Sequence, residues 1–423
     1  DGEYPTWREI AAAENIQGQR VNAYTFNEDD GATFEFRAEI DGYRFQPGLF
    51  LVDLKYRNED VLSTIFPRHV ITTDLTHETA VDLGLTFPIL LGKCRNVPLR
   101  HIKNDTENDH YDYSPGYGVL DSVWFDAEAN IGIKRNGNLV SPTEYTWYDG
   151  SQSSPYPGKA FLRFAREQRD DSEGFYQLTG DFNGLELDTD VVCRNAIRQL
   201  RYLLADTSFG LGQTINANSF DRAEDAIEAI GDIYSDGPIV EQRALRNYID
   251  KLLFISRARM RRNNKDELCV HVDRLEGISG EYTDGVDCEV QEVSVPSTSE
   301  SVANIICRYA QDRTNDDCAY YERTLAVSSC GSEKILDDEM MFVAETATAK
   351  KVMSYYRNTL VWDDVSIVKS RETLKIKLGA EGKRHEKGQI LTINPNPDPT
   401  VFRMFGDSAM NIKIESIRKT PGG

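Results

Sequence analysis

Histidines are the side chains best suited to acid–base work or metal ligation at neutral pH. This chain has six: His69, His77, His101, His110, His271 and His385. Metal sites place such donors at short fixed spacings, so that two ligands leave one turn or one helix face. None of the six has that spacing. His101 and His110 flank an acidic stretch, but two histidines on a turn are ordinarily polar surface. The seven cysteines, Cys94, Cys193, Cys269, Cys288, Cys307, Cys318 and Cys330, contain no CxxC pair. Without paired spacing, the four between Cys288 and Cys330 do not form a zinc site. An odd count in a long chain predicts reduced thiols, as in a protein made in a cytoplasm.

Carboxylates are the other candidate chemistry. Residues 101–130 hold Asp105, Glu107, Asp109, Asp112, Asp121, Asp126 and Glu128 against a single Lys103. Asp105, Glu107 and Asp109 alternate as calcium ligands do, but His110 stands where the sharp-turn Gly belongs. A solvated acidic loop is therefore the expectation, with turns at Pro115-Gly116 and Gly118. Glycoside hydrolysis needs two acids held several ångströms apart. Among 69 acidic residues such pairs are inevitable in sequence and select nothing. There is no Walker loop, HExxH or GxSxG. Gly277-Ile278-Ser279-Gly280 lacks the residue of a nucleophile elbow. Phe209-Gly210-Leu211-Gly212 follows a helical pattern and lacks the third Gly of a dinucleotide fingerprint, so it reads as a helix C-cap and turn. The residues predict no enzyme, no cofactor and no metal.

The elements that would position any such groups read as α+β, with several mainly β, barrel-like domains and one inserted helical segment of about three helices. At 423 residues, two to four domains are expected. The pattern divides them into a β-rich 1–150 with the acidic loop, a β connecting segment 151–188, a helical segment 189–264, and a β-barrel-like 265–423 with one helix. A hairpin is expected over 21–26 and 33–40, with a second turn at Asp41-Gly42 and a strand over 49–56. Residues 76–80 have the pattern of a short capped helix. Helical spacing runs through 190–205, and Ser219 or Asp221 can cap a second helix bearing Ala223, Ala226, Ile227 and Ile230 on one face. Pro238 suits a first helical position, opening a third helix over 239–262. Strands are expected at 268–272, 374–378, 388–393 and 411–415, a polar linker at 294–301, and a helix at 347–357.

Acidic residues exceed basic ones by 69 to 48, a formal net charge of −21. Such a surface repels phosphate, which argues against stable nucleic-acid or anionic-membrane binding. No stretch approaches the roughly 20 apolar residues of a membrane span. Asp1-Gly2-Glu3-Tyr4-Pro5 lacks the features of a signal peptide, so either the protein is used without export or a segment has been removed.

The order of segments resembles the central hub proteins of siphophage and prophage tails. Leu203-Leu204-Ala205-Asp206 running into Phe209-Gly210-Leu211-Gly212, Ile215 and Ser219-Phe220 is similar to the family's helix-to-helix passage. Residues 245–253 followed by Leu268-Cys269-Val270-His271-Val272 resemble its long helix entering a β domain. Residues 303–309 resemble the strand opening the later region, and 347–356 the helix that follows. Residues 387–393 and Val401-Phe402-Arg403-Met404 resemble the closing barrel strands. The likeness covers about residues 190–405, with the first 185 matching less and Cys307 to Cys330 standing as an insertion. It implies a homotrimeric ring below the tail tube through which DNA passes. It also implies contacts with distal tail, tape-measure and fibre or tip proteins, and no cofactor. The protein would then be assembled in the host cytoplasm and reside in the virion tail. Two other readings are a receptor- or carbohydrate-binding tail protein and a glycan or peptidoglycan hydrolase module.

At about 100° per residue, the 239–262 helix would gather Arg243, Arg246, Arg257 and Arg261 opposite its apolar side. This strip is either a solvated face or an interface to acidic surface on a neighbouring subunit, such as 101–130. Arg suits bidentate carboxylate pairing at such interfaces.

Overall fold

The computed structural model describes residues 19–27, 31–46, 49–55, 62–71, 82, 84–105, 110–151, 155–168, 178–187, 192–208, 210–263, 265, 267–272, 280–294, 302–312, 319–327, 331–364, 367–370, 373–378, 390–398 and 410–414. The fold is α+β and mainly β, its strands gathered into several small sheets. Three helices fall in one stretch: α1 (Ala196–Ala205), α2 (Ala217–Ile230) and α3 (Leu245–Ile255). A later helix, α4, spans Thr346–Leu360.

The N-terminal hairpin forms as its alternation requires, Arg20–Asn27 pairing antiparallel with Gly31–Gln46. Asp41-Gly42 is not a second turn. The strand runs on through it, and the register slips between Ile40 and Gly42 against Leu49–Lys55, so turn chemistry here makes a bulge. The acidic stretch is likewise strand over most of its length. Arg100–Asp105 pairs with His110–Tyr117, and Pro115 and Gly116 lie inside the second of these. Glu107 and Asp109 lie outside the described residues, as do 76–80, 295–301, 277–279 and 401–404.

Helices α1 and α2 each begin at an asparagine. Asn195 accepts from the Ile197 and Arg198 amides, and Asn216 from the Ser219 amide. The cap of α2 is thus Asn216, not Ser219 or Asp221, and the Ser219 hydroxyl instead donates to Val270 O at 2.6 Å. α2 buries Ala223, Ala226 and Ile227 together with Phe220.

The third helix is shorter than its sequence period. Gly237–Ile239, with Pro238 inside it, is a strand paired to Ile89–Leu91. Arg243–Ala244 pairs with Ile65–Phe66. α3 then starts without a side-chain cap, because the Leu245 and Arg246 amides donate to Thr64 O and Leu62 O, each at 2.9 Å. It stops at Ser256, whose hydroxyl returns to Leu252 O at 2.6 Å, and Arg257 takes a left-handed φ of 55°. Ala258–Arg262 then pairs with Leu268–Val272 as a hairpin.

The main core collects side chains from Phe66 to Met353, including Tyr113, Phe182, Leu200, Tyr248 and Phe342. A smaller core holds Tyr282, Cys288, Val290, Leu391 and Ile393, with Leu374, Ile376 and Ile412 against it. Its strands come from two separated stretches: Gly280–Thr283 pairs parallel with Ile390–Asn394, and Cys288–Ser294 antiparallel with Thr373–Leu378. Between those stretches the chain returns to the main core. Ile305, Cys307 and Tyr309 of the strand Val302–Asp312 and Val352 and Met353 of α4 are buried there.

Candidate functional site

Charge taken out of water must be compensated, so buried ionic groups show where the chain is most tightly specified. One such group lies where the start of α1, the loop after α2 and the approach to α4 meet. Arg194 donates through Nε to Asp236 Oδ1 at 2.8 Å, and its Nη2 meets both Asp236 Oδ2 and Glu345 Oε1. Asp236 also accepts the Lys93 amide at 2.8 Å, which ties in a strand of the β body. The guanidinium stacks 4.1 Å from the Tyr234 ring centroid. Burial works against its charge, but the hydrogen bonds and charge of Asp236 and Glu345 outweigh that and raise its pKa. Gly92 is required here, since a Cβ would sit 2.3 Å from Ser235 O.

Beside this group is a cleft of about 300 Å³ lined by Asn195, Arg198, Glu228, Asp232 and Tyr234 among others. Its two arginines already have counter-ions. Arg198 meets Glu224 at 3.1 Å and Glu228 at 3.5 Å, while Arg194 is held as above. The far end of α2 is closed by Lys351 of α4, whose ammonium donates to Ile230 O, Gly231 O and Asp232 Oδ2. A cation on the last carbonyls of a helix is favoured by the helix dipole. Chemically, the arrangement clamps segments far apart in sequence.

Two further pairs repeat the theme. Lys134 and Asp181, both nearly inaccessible, meet at 2.7 Å. Asp112, from the acidic stretch, is buried and takes Arg163 in a fork at 2.8 Å through both oxygens, with the Tyr156 hydroxyl at 3.1 Å. One member of the supposed acidic loop is thus an internal counter-ion.

No family model matches the chain, and no curated protein matches it. Solved structures similar to it include a virion chain and a tail protein. A chain in the virion of a native gene transfer agent particle aligns over 85% of this chain and 92% of its own, at 11% identity and a TM-score of 0.45. The prophage MuSo2 43 kDa tail protein from Shewanella oneidensis aligns over 78% of this chain and 89% of its own, at 11% identity and a TM-score of 0.31. At those values neither fixes a fold or a function here.

The four arginines expected on one helix face are not on one helix. Arg243 lies in the short strand before α3 and pairs with Glu241 at 2.7 Å and Asp338 at 3.5 Å. Arg246 is on α3, half exposed, 3.7 Å from Asp250. Arg257 turns inward, donating to Lys351 O at 2.9 Å and lying 4.7 Å from the Tyr355 ring centroid, and burial lowers its pKa. Arg261 is exposed on the hairpin strand. The helical period fails because Ala258–Arg262 finds a strand partner. Arg194, Asp236 and Glu345 were missed because their partners lie 42 and 151 positions apart. The only local signal was the turn chemistry of Asp236-Gly237-Pro238.

Proposed function

We propose that the chain is a structural subunit of a phage-type tail, the hub that joins the tail tube to tip or fibre proteins. The observation that carries this reading is the order of elements along the chain. The stretches that resemble the hub family fold, where described, as the expected types in the expected order. α1 passes into α2, α3 precedes the strand Leu268–Val272, then come Val302–Asp312, α4 and Ile390–Asn394. Buried ionic groups used as clamps suit a part that must hold its shape under load. Among the described residues Cys94, Cys288 and Cys307 are buried free thiols, which suits assembly in a host cytoplasm.

On this reading the partners are two further copies of the chain, a distal tail protein, a tape-measure protein and fibre or tip proteins. The mature location is the virion tail. Arg246 and Arg261, the exposed pair of the four arginines, are the ones assigned to neighbouring subunits, while Arg243 and Arg257 serve their own subunit. Native mass spectrometry of the full chain, with antibody labelling of isolated particles, tests the proposal. A trimer in solution and label at the tail tip are expected. A monomer at every concentration, with no label on particles, overturns it.

A further inference from the structure

A surface on the opposite side of the Lys93 strand is prepared for a partner, and its preparation begins with a bulge. Lys93–Pro98 pairs with Leu178–Leu185, but the register slips so that Arg95 and Asn96 together oppose Asp181. Asn96 takes a left-handed φ of 52°. Its amide donates to Asp181 Oδ1 at 2.7 Å, and its side-chain oxygen accepts from Lys134 at 2.8 Å. The buried Lys134–Asp181 pair thus holds the bulge in place. Bulges re-aim side chains, and this one sends Arg95 outward. On the other side of Leu178–Leu185, Leu120–Val123 leads into Trp124, whose amide donates to Asp181 O at 2.9 Å. Two cations consequently lie over the Trp124 ring, Lys93 Nζ 5.2 Å and Arg95 Cζ 5.9 Å from its centroid. Phe125 beside it is 44% exposed.

Neither Lys93 nor Arg95 makes an ion pair among the described residues, although the chain carries 21 excess negative charges. Two like charges over one ring repel each other, and a carboxylate between them removes that cost. Arg offers a fork to a carboxylate, Lys a point charge, and Trp an apolar platform of the kind that anchors interfaces. A long polyanion would meet the repulsive field of the whole chain with every charge it carries, whereas a short acidic segment would meet much less of it. We propose that Lys93, Arg95, Trp124 and Phe125 form a docking surface for an acidic polypeptide segment of a partner protein. The assignment is independent of the tail reading.

The test uses the full chain and a fluorescein-labelled peptide alternating Glu and Gly, with a Gln-for-Glu peptide as control. At low salt the Glu peptide should bind and the Gln peptide should not. Lys93→Glu with Arg95→Glu should weaken binding roughly tenfold or more, as for loss of a charge-assisted contact. Arg222→Glu, an exposed change on α2, should leave it unaltered. Circular dichroism identical to wild type keeps a folding defect out of the result. Equal binding by the double variant, or no binding of the Glu peptide, overturns the proposal. Tighter binding of an oligothymidine or a uronic-acid oligosaccharide than of the Glu peptide also overturns it.

Discussion

Around the main core the chain buries Lys134 against Asp181, Asp112 against Arg163 and Arg194 against Asp236, whereas the smaller core is closed by Tyr282, Cys288, Val290, Leu391 and Ile393. The two regions solve different problems. The smaller one must keep two short sheets together, for which apolar area suffices. The larger one must dock strands and helices whose sequences lie far apart in one arrangement. A misdocked ion pair leaves a charge uncompensated out of water, so each pair penalises the wrong arrangement more than it rewards the right one.

The sharpest way to break this contrast is Asp181→Ala. It strands the Lys134 ammonium and removes the acceptor of the Asn96 and Gly132 amides. A loss of about 3–5 kcal/mol is expected, read from the urea midpoint. Lys134→Met with Asp181→Leu should recover only part of it, because the two amides stay unsatisfied. Full recovery would mean that the pair, and not the amides, carries the whole effect. Next in size is Ile393→Ala, which removes a fully buried side chain from the smaller core at a cost of about 3 kcal/mol. Hydrogen exchange should then quicken in Gly280–Thr283, Cys288–Ser294, Thr373–Leu378 and Ile390–Asn394 and stay unchanged in α1 to α3. Spread of the effect into those helices would show the two cores to be one cooperative unit.

The smallest effect is in alkali. Burial raises Cys288 from 9.0 to about 11 and Cys307 to about 12, with nearby carboxylates adding to each. Unfolded thiols lose their protons first, so the stabilising contribution is full below pH 9 and falls as pH rises. The stability difference between wild type and Cys307→Ala should shrink from pH 9 upward. The matching difference for Cys288→Ala should shrink too but level off near pH 11. A pH-independent difference for either thiol would place it in contact with water.

What could be read in advance was whatever is decided locally. The Leu268–Val272 strand, the hairpin of 21–26 with 33–40 and α4 each carry their own period, turn or cap, and they form where the residues predict. What could not be read was decided by partners. Pro238 looks like a helix start until Ile89–Leu91 supplies a strand beside it. Residues 258–262 continue an apolar helical period but pair with Leu268–Val272 instead. Asp112 looks like solvated loop until Arg163, 51 positions on, is folded against it. The Trp124 surface left a faint trace, since Lys93 and Arg95 alternate with the buried Cys94.

The smaller core is assembled from two stretches with a loop of the main core running out and back between them. Three passages of chain therefore join the regions, where an appended module would have one. A single cut in any one of them leaves two fragments that share a core and are held together by packing alone. During synthesis, the strands at 280–294 must wait for Thr373–Leu378 and Ile390–Asn394 to leave the ribosome before they find their partners. Thr373–Leu378 and Ile390–Asn394 thus finish a region begun about 100 residues earlier, and closure over such a separation is slow.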